Sequence, residues 1–345
     1  MTVHLWGNDY TKPELICRVG DLRQLADIRP FELVDGSERG TRGIRLYNAA
    51  GLDLTLLTDR GMSITNLFCR GVPLPLLSAV GGVHPFFTEP TGLGWLRTWP
   101  VGFLTTCGLT QAGPPCNDNG QELGLHGRAA GIPARNVRWG AEWQGDEYIL
   151  WAEGTVAEVA FFGDHVTLQR RIWTTLTEPR FWIEDQVENH GFEPAPHMLL
   201  QHFNLGFPLV DATTRLALPP HTTQPRTEIA KTGLENCLEF QEPTPGYQEQ
   251  VFFHDLQPDA NGRVEVSLVN PAFDGGRGLS VTWRYAKSEY PILVEWKMMG
   301  EGTYVVGIEP SNSYIRGRVE ERKAGTLVIL QPQEIRTYSI EIEIK

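Results

Sequence analysis

The 345-residue chain is 41% hydrophobic and carries a net charge of −12, which gives enough apolar mass for a large core and the wrong sign for a phosphate-backbone partner. Its basic residues are scattered among acidic ones, which argues against nucleic acid and against an anionic membrane surface. The five cysteines, Cys17, Cys69, Cys107, Cys116 and Cys237, are odd in number and form no CxxC or zinc-type spacing, as expected of reduced thiols in a cytoplasmic protein.

The first residues, MTVHLWGNDYTKPELICRVGD, carry charges throughout and no apolar stretch with a small-residue cleavage site, so no secretory signal is expected. The run PELICRVGDLRQLAD has helical character, and Gly20 divides it into two short pieces. Asp35-Gly36, Asn119-Gly120, Asn261-Gly262 and Asp274-Gly275-Gly276 mark tight reversals. From about Pro85 to Gly131 the chain is rich in Gly, Pro and aromatics and poor in alternation, the profile of long loops that carry function on a β scaffold.

Beyond it, period-two alternation dominates. In HVTLQRRIW, Val166, Leu168 and Ile172 face one way, and RFWIEDQVEN offers Phe181, Ile183 and Val187 on a neighbouring strand. GLSVTWRY and PILVEWKM are further strands, and at the end Tyr338, Ile340, Ile342 and Ile344 alternate with polar residues. With 36 Gly and 24 Pro, long uninterrupted helices are not expected. The expected class is all-β, antiparallel, with few short helices. Residues 1–345 are expected to form a single domain, with residues 1–30 as an N-terminal extension packed on it.

No P-loop, strand-to-helix GxGxxG, GxSxG or HExxH motif occurs. Chemistry must therefore come from polar residues set in apolar surroundings. In LLQHFNLGFP, His202 and Asn204 are two apart on a strand and so share a face. An imidazole can move a proton near neutral pH, and an amide beside it can hold a hydroxyl. A histidine satisfied by local hydrogen bonds fits the same residues. In TYVVGIEPSNSY, Glu309 follows an apolar run and precedes Pro310, which is expected to end the strand ladder. Such a carboxylate is either tuned by burial for base catalysis or a solvated strand-end glutamate.

In ELGLHGRAAGIPAR, His126 lies between glycines that permit close approach of a ligand, and Arg128 could fork onto vicinal hydroxyls; a plain loop is the alternative. Arg60 in LLTDRGMSI and Lys297 in VEWKMMG are further pocket candidates, or a surface arginine and a snorkelling lysine. His254-Asp255 in VFFHDL reads best as structural.

Taken together, these segments resemble the aldose 1-epimerase (galactose mutarotase-like) superfamily. HFNLGFP is similar to the segment bearing its catalytic His, GIEPSN to that bearing its catalytic Glu, and GLHGR to its substrate-binding loop His, in the same chain order. VGDLRQLADIRPFELVDGSERGTRG, DRGM and LTTCGL look closer to the DUF4432 branch, over most of the chain. The resemblance implies a large antiparallel β-supersandwich and proton transfer without a cofactor. By that likeness Glu309 would take the proton of the anomeric hydroxyl and His202 would protonate the ring oxygen. His126, Arg128 and Asn204, with Arg60 and Lys297, would orient hydroxyls.

In the mutarotases an aromatic Pro-Tyr-type step follows the catalytic His, whereas here Phe203 follows directly. The expected partner is a small-molecule carbohydrate, with a homodimer left open. The expected reaction is interconversion of sugar anomers. An isomerase or lyase acting at a carbon-bound proton, and a non-catalytic carbohydrate-binding protein, are the alternatives. A phosphosugar would want a dense cationic cluster, and only Arg60, Arg128 and Lys297 stand out for it.

Overall fold

In the computed structural model, which describes residues 2–345, two large antiparallel sheets enclose the main core. One has eight strands, in the order Arg135–Gln144, Glu147–Val159, His165–Thr175, Arg180–Asn189, Ile335–Ile344, Leu279–Ala286, Arg263–Asn270 and Arg215–Ala217. The alternating segments of the sequence fall here. Val166, Leu168, Ile172, Phe181, Ile183 and Val187 are all buried, and Ile183 lies directly between Ile172 and Ile340 on its two neighbours. Such same-face apolar neighbours stabilise a sheet more than any backbone preference does.

The second sheet has eleven strands and supplies the site. Its central strands, in order, are Gln250–Leu256, Ile292–Gly300, Thr303–Ser311, Leu200–Leu205 and Leu104–Cys107. These strands are covered on both faces. Phe103 and Phe203 point inward against Phe181 and Trp283 of the other sheet. Leu200, Val251, Phe253 and Val294 point outward into a second apolar cluster with Trp95 and Trp99. A strand buried on both faces reads as continuous apolar sequence, without alternation.

A fully buried polar bridge sits between the sheets beneath the site. Arg170 forks onto Asp185 at 2.7 and 2.6 Å and reaches Gln201 Oε1 at 2.9 Å and the hydroxyl of Thr106. Gln201 returns a bond to Asp185 at 2.7 Å. Two strands of each sheet are thereby tied together directly beneath His202.

Lys12–Ile16 is helical and Leu22–Gln24 is a single tight turn, the two short pieces expected around Gly20. Arg318–Ala324 is a further helix that the sequence does not announce, since its seven residues give too few turns for a period; it ends on Gly325 in the left-handed region. Pro310 does not end the ladder. The strand runs to Ser311, with Pro310 paired opposite Leu293. Among the described residues no helix is long and apolar enough to cross a membrane.

Candidate active site

The floor of the site follows from strand register. Leu200 pairs with Ser311 and Phe203 with Ile308, which sets Gln201 opposite Pro310 and His202 opposite Glu309. Between those two pairs the ladder lapses, because Pro310 has no N–H to give. His202 and Glu309 are thus cross-strand neighbours on the outward face, with His202 Nε2 3.3 Å from Glu309 Oε1. Gly307 lies two residues before Glu309, and a Cβ there would stand 2.3 Å from Glu309 Oε1 and 3.1 Å from Trp296 Cβ. The missing side chain is the space into which the carboxyl folds.

The walls come from the long loop segment. Trp95 and Trp99 stack with centroids 4.5 Å apart. Trp99 meets His202 edge-on at 5.2 Å and donates its indole N–H to Thr105 Oγ1 at 2.9 Å, and Thr105 lies opposite His202 on the neighbouring strand. Trp296 closes the other side at 5.6 Å from His202. His126 sits at φ 55°, with its ring 5.6 Å from that of His202 and 5.0 Å from Trp95. Together these groups line a cleft of about 380 Å³, within the range of small-molecule sites. Arg226 and Glu249 are its other polar lining residues.

Burial dominates the electrostatics. It pushes the Glu309 carboxyl well above its usual range; Arg226 opposes this and Glu249 adds to it. It drives His202 well below an ordinary imidazole, helped by the nearby His126 and opposed by Asn204. His126 falls to about 3, from burial and then Arg226. Charged forms are disfavoured on both members of the pair, so burial favours a protonated Glu309 carboxyl beside a neutral His202 imidazole.

The structure brings His126, His202 and Glu309 together and sets the other candidates elsewhere. Asn204 is buried behind His202, its amide donating to the carbonyls of Gly102 and His202 at 3.0 Å each, so it does not line the cleft. Arg128 is exposed and also outside it. Lys297 gives its ammonium to the carbonyls of Asn236, at 3.0 Å, and Glu239, at 2.5 Å, away from the cleft. Arg60 is buried, with Nη1 on the Val83 carbonyl at 3.1 Å and Nη2 on that of Thr98 at 2.7 Å. It braces the loop that bears Trp95 and Trp99 rather than facing a ligand.

The glycines flanking His126 serve loop packing as well. A Cβ on Gly124 would meet the Pro90 carbonyl at 2.3 Å, and one on Gly127 that of Gln111 at 2.3 Å. Sequence reasoning missed Arg226, Glu249 and the three tryptophans. The aromatic richness of the loop pointed to Trp95 and Trp99, but Arg226 lies in a polar stretch with nothing to set it apart. Among the described residues no group of three or more His, Cys, Asp or Glu side chains is placed to hold a metal ion.

The profile of the family described as "Domain of unknown function (DUF4432)" matches residues 38–344. The chain belongs to the DUF4432 family. Its architecture is that of the galactose mutarotase-like superfamily. A crystal structure from Klebsiella pneumoniae, provisionally assigned as an aldose 1-epimerase, superposes with a TM-score of 0.87 at 27% identity, covering 92% of this chain and 83% of that one. A galactose mutarotase-like protein from Clostridium acetobutylicum superposes at 0.64 with 16% identity, over 93% and 99% of the two chains. Galactose 1-epimerase from Lactobacillus acidophilus gives 0.53 with 11% identity, over 92% and 98%. The last two likenesses are of fold. No curated protein matches the sequence.

Proposed function

We propose that this DUF4432 chain is an isomerase that interconverts the anomers of a sugar, with His202 and Glu309 as its acid/base pair. The observation carrying this is the 3.3 Å approach of the imidazole to the carboxyl on the floor of a mostly apolar cleft. Anomer exchange needs one proton removed from the C1 hydroxyl and one given to the ring oxygen. A carboxylic acid beside a neutral imidazole supplies both once the carboxyl proton crosses to the ring nitrogen, with no change in the net charge of the pair. With its carboxyl proton passed across the 3.3 Å gap to His202 Nε2, Glu309 takes the hydroxyl proton while His202 delivers the proton it has received to the ring oxygen. The ring opens to the aldehyde, the C1–C2 bond turns, and the reverse transfers close the other anomer. The indole faces of Trp95, Trp99 and Trp296 offer flat apolar walls for the C–H face of a pyranose, and His126 stands beside His202 to meet a hydroxyl.

One-dimensional NMR of freshly dissolved α-anomers across a sugar panel tests this. The expected result is accelerated α/β equilibration, lowered about 10²- to 10⁴-fold by Glu309→Gln or His202→Gln. Binding without acceleration on any sugar would sink the assignment. Deuterium entering a carbon position in D₂O would instead identify an enzyme working at a carbon-bound proton.

A further inference from the structure

Arg226 is a cation lining the cleft whose guanidinium has no direct partner among the described residues. It follows the strand His221–Pro225, is fixed by its backbone N–H on the Val251 carbonyl at 2.9 Å, and lines the cleft with His202 and Glu309. Among the described residues no carboxylate lies within ion-pair distance of its guanidinium, and its side-chain nitrogens make no hydrogen bond. Buried arginines elsewhere are engaged: Arg170 with Asp185, Arg318 with Asp118, Arg60 with two carbonyls. Glu309, Glu249 and His126 all feel the charge of Arg226, so it lies near the reacting pair rather than at a distant rim. A partly desolvated charge left unpaired is destabilising on its own, which directs attention to what the substrate brings.

Three ligand chemistries could meet it. Neutral hydroxyls would accept its hydrogen bonds but leave the charge uncompensated in a mostly apolar cleft. A dianionic phosphate would call for more cations, yet among the described residues no second Lys or Arg lines the cleft. Glu249, held by the Trp296 indole N–H at 2.8 Å, adds a negative charge to the same wall, and the whole chain carries −12. A single carboxylate matches the one planar fork in charge and geometry.

We propose that the sugar taken by this cleft is an acid, a uronate-type hemiacetal whose carboxylate is held by Arg226 while its anomeric carbon meets His202 and Glu309. This deepens the acid/base reading above and rests on it for the position of the anomeric carbon.

The test pairs D-glucuronate with D-glucose and D-galacturonate with D-galactose, adding D-glucose 6-phosphate, on the full chain and on Arg226→Gln and Arg226→Lys. Affinities come from ligand-observed NMR titration, and anomer exchange is read on the same samples. Each uronate should bind about tenfold to a hundredfold tighter than its parent, the increment of a charge-assisted bidentate contact. Arg226→Gln should bring that ratio towards one, and Arg226→Lys should keep part of it. Absence of a uronate preference, or its survival in Arg226→Gln, overturns the proposal, and a stronger preference for the phosphate ester overturns the carboxylate assignment. Arg226-dependent uronate binding without faster anomer exchange would remove the acid/base assignment and leave this one standing. Faster exchange of neutral sugars with no uronate preference would do the reverse.

Discussion

Glu309 is stored in the folded chain as an acid that the unfolded chain would ionise. Its carboxyl is raised well above 4.5 by burial, so the folded state binds a proton that the unfolded state releases. The stability this contributes is fully present below about pH 4.5 and is lost as pH rises towards the folded value. Glu309→Gln removes the titration while keeping the shape. The variant should therefore unfold at higher denaturant than the parent near about pH 8, with the gap closing below about pH 4.5. Urea midpoints measured against pH check this; a Gln variant less stable at alkaline pH would mean that the carboxyl is not held protonated. Stability and chemistry would then be opposed at one residue, as is common where a site is kept under tension.

At the scale of elements, the site is a property of two strands in register, with one missing side chain. Gly307→Ala presses a methyl group into the space of the Glu309 carboxyl, a movable side-chain end, and crowds Trp296. Thermal stability should change little while turnover falls about 10²-fold, the usual penalty for a misplacement near 1 Å. Anomer-exchange rates and melting curves of the same sample separate the two effects.

Legibility in the sequence follows the same division. Strands with one wet face declared themselves, as Tyr338 to Ile344 show. The strand Leu200–Leu205 is buried on both faces, so no alternation exists to read, and His202 stood out instead as a polar interruption. The i, i+2 rule put Asn204 on the face of His202, but a rule about faces does not say that the amide will turn to the carbonyls of Gly102 and His202. The pairing of His202 with Glu309 joins distant segments and has no local signature. It was reached through family likeness, and register supplies its geometry. Pro310 misled because a missing N–H interrupts pairing on one side only, here towards His202, while Leu293 still pairs on the other. Arg226 was invisible because a charged residue among Thr, Gln and Glu looks like ordinary surface.

The whole molecule carries its acid sensitivity in buried imidazoles. His197 links the Leu109 carbonyl at 3.1 Å to the Tyr338 hydroxyl at 2.8 Å and is lowered by burial to about 4. Unfolded, it would titrate near 6.5, so between those values the unfolded state takes up a proton that the folded state refuses. Stability present above about pH 6.5 should drain away as pH falls towards 4, by about 1.4 kcal/mol per unit for such a group. His126, at about 3, extends the loss further. Denaturation midpoints should therefore fall across this window, less steeply in His197→Gln. A flat profile in the parent would contradict it.

Arg60, first singled out as a contact for sugar, has a different consequence. By holding the Val83 and Thr98 carbonyls, it ties the loop on both sides of Trp95, and immediately before Trp99, to the scaffold. That wall is thus anchored by two charge-assisted hydrogen bonds. An anchored wall needs less ordering when a ligand arrives, so the entropic cost of binding falls on the guest rather than on the loop.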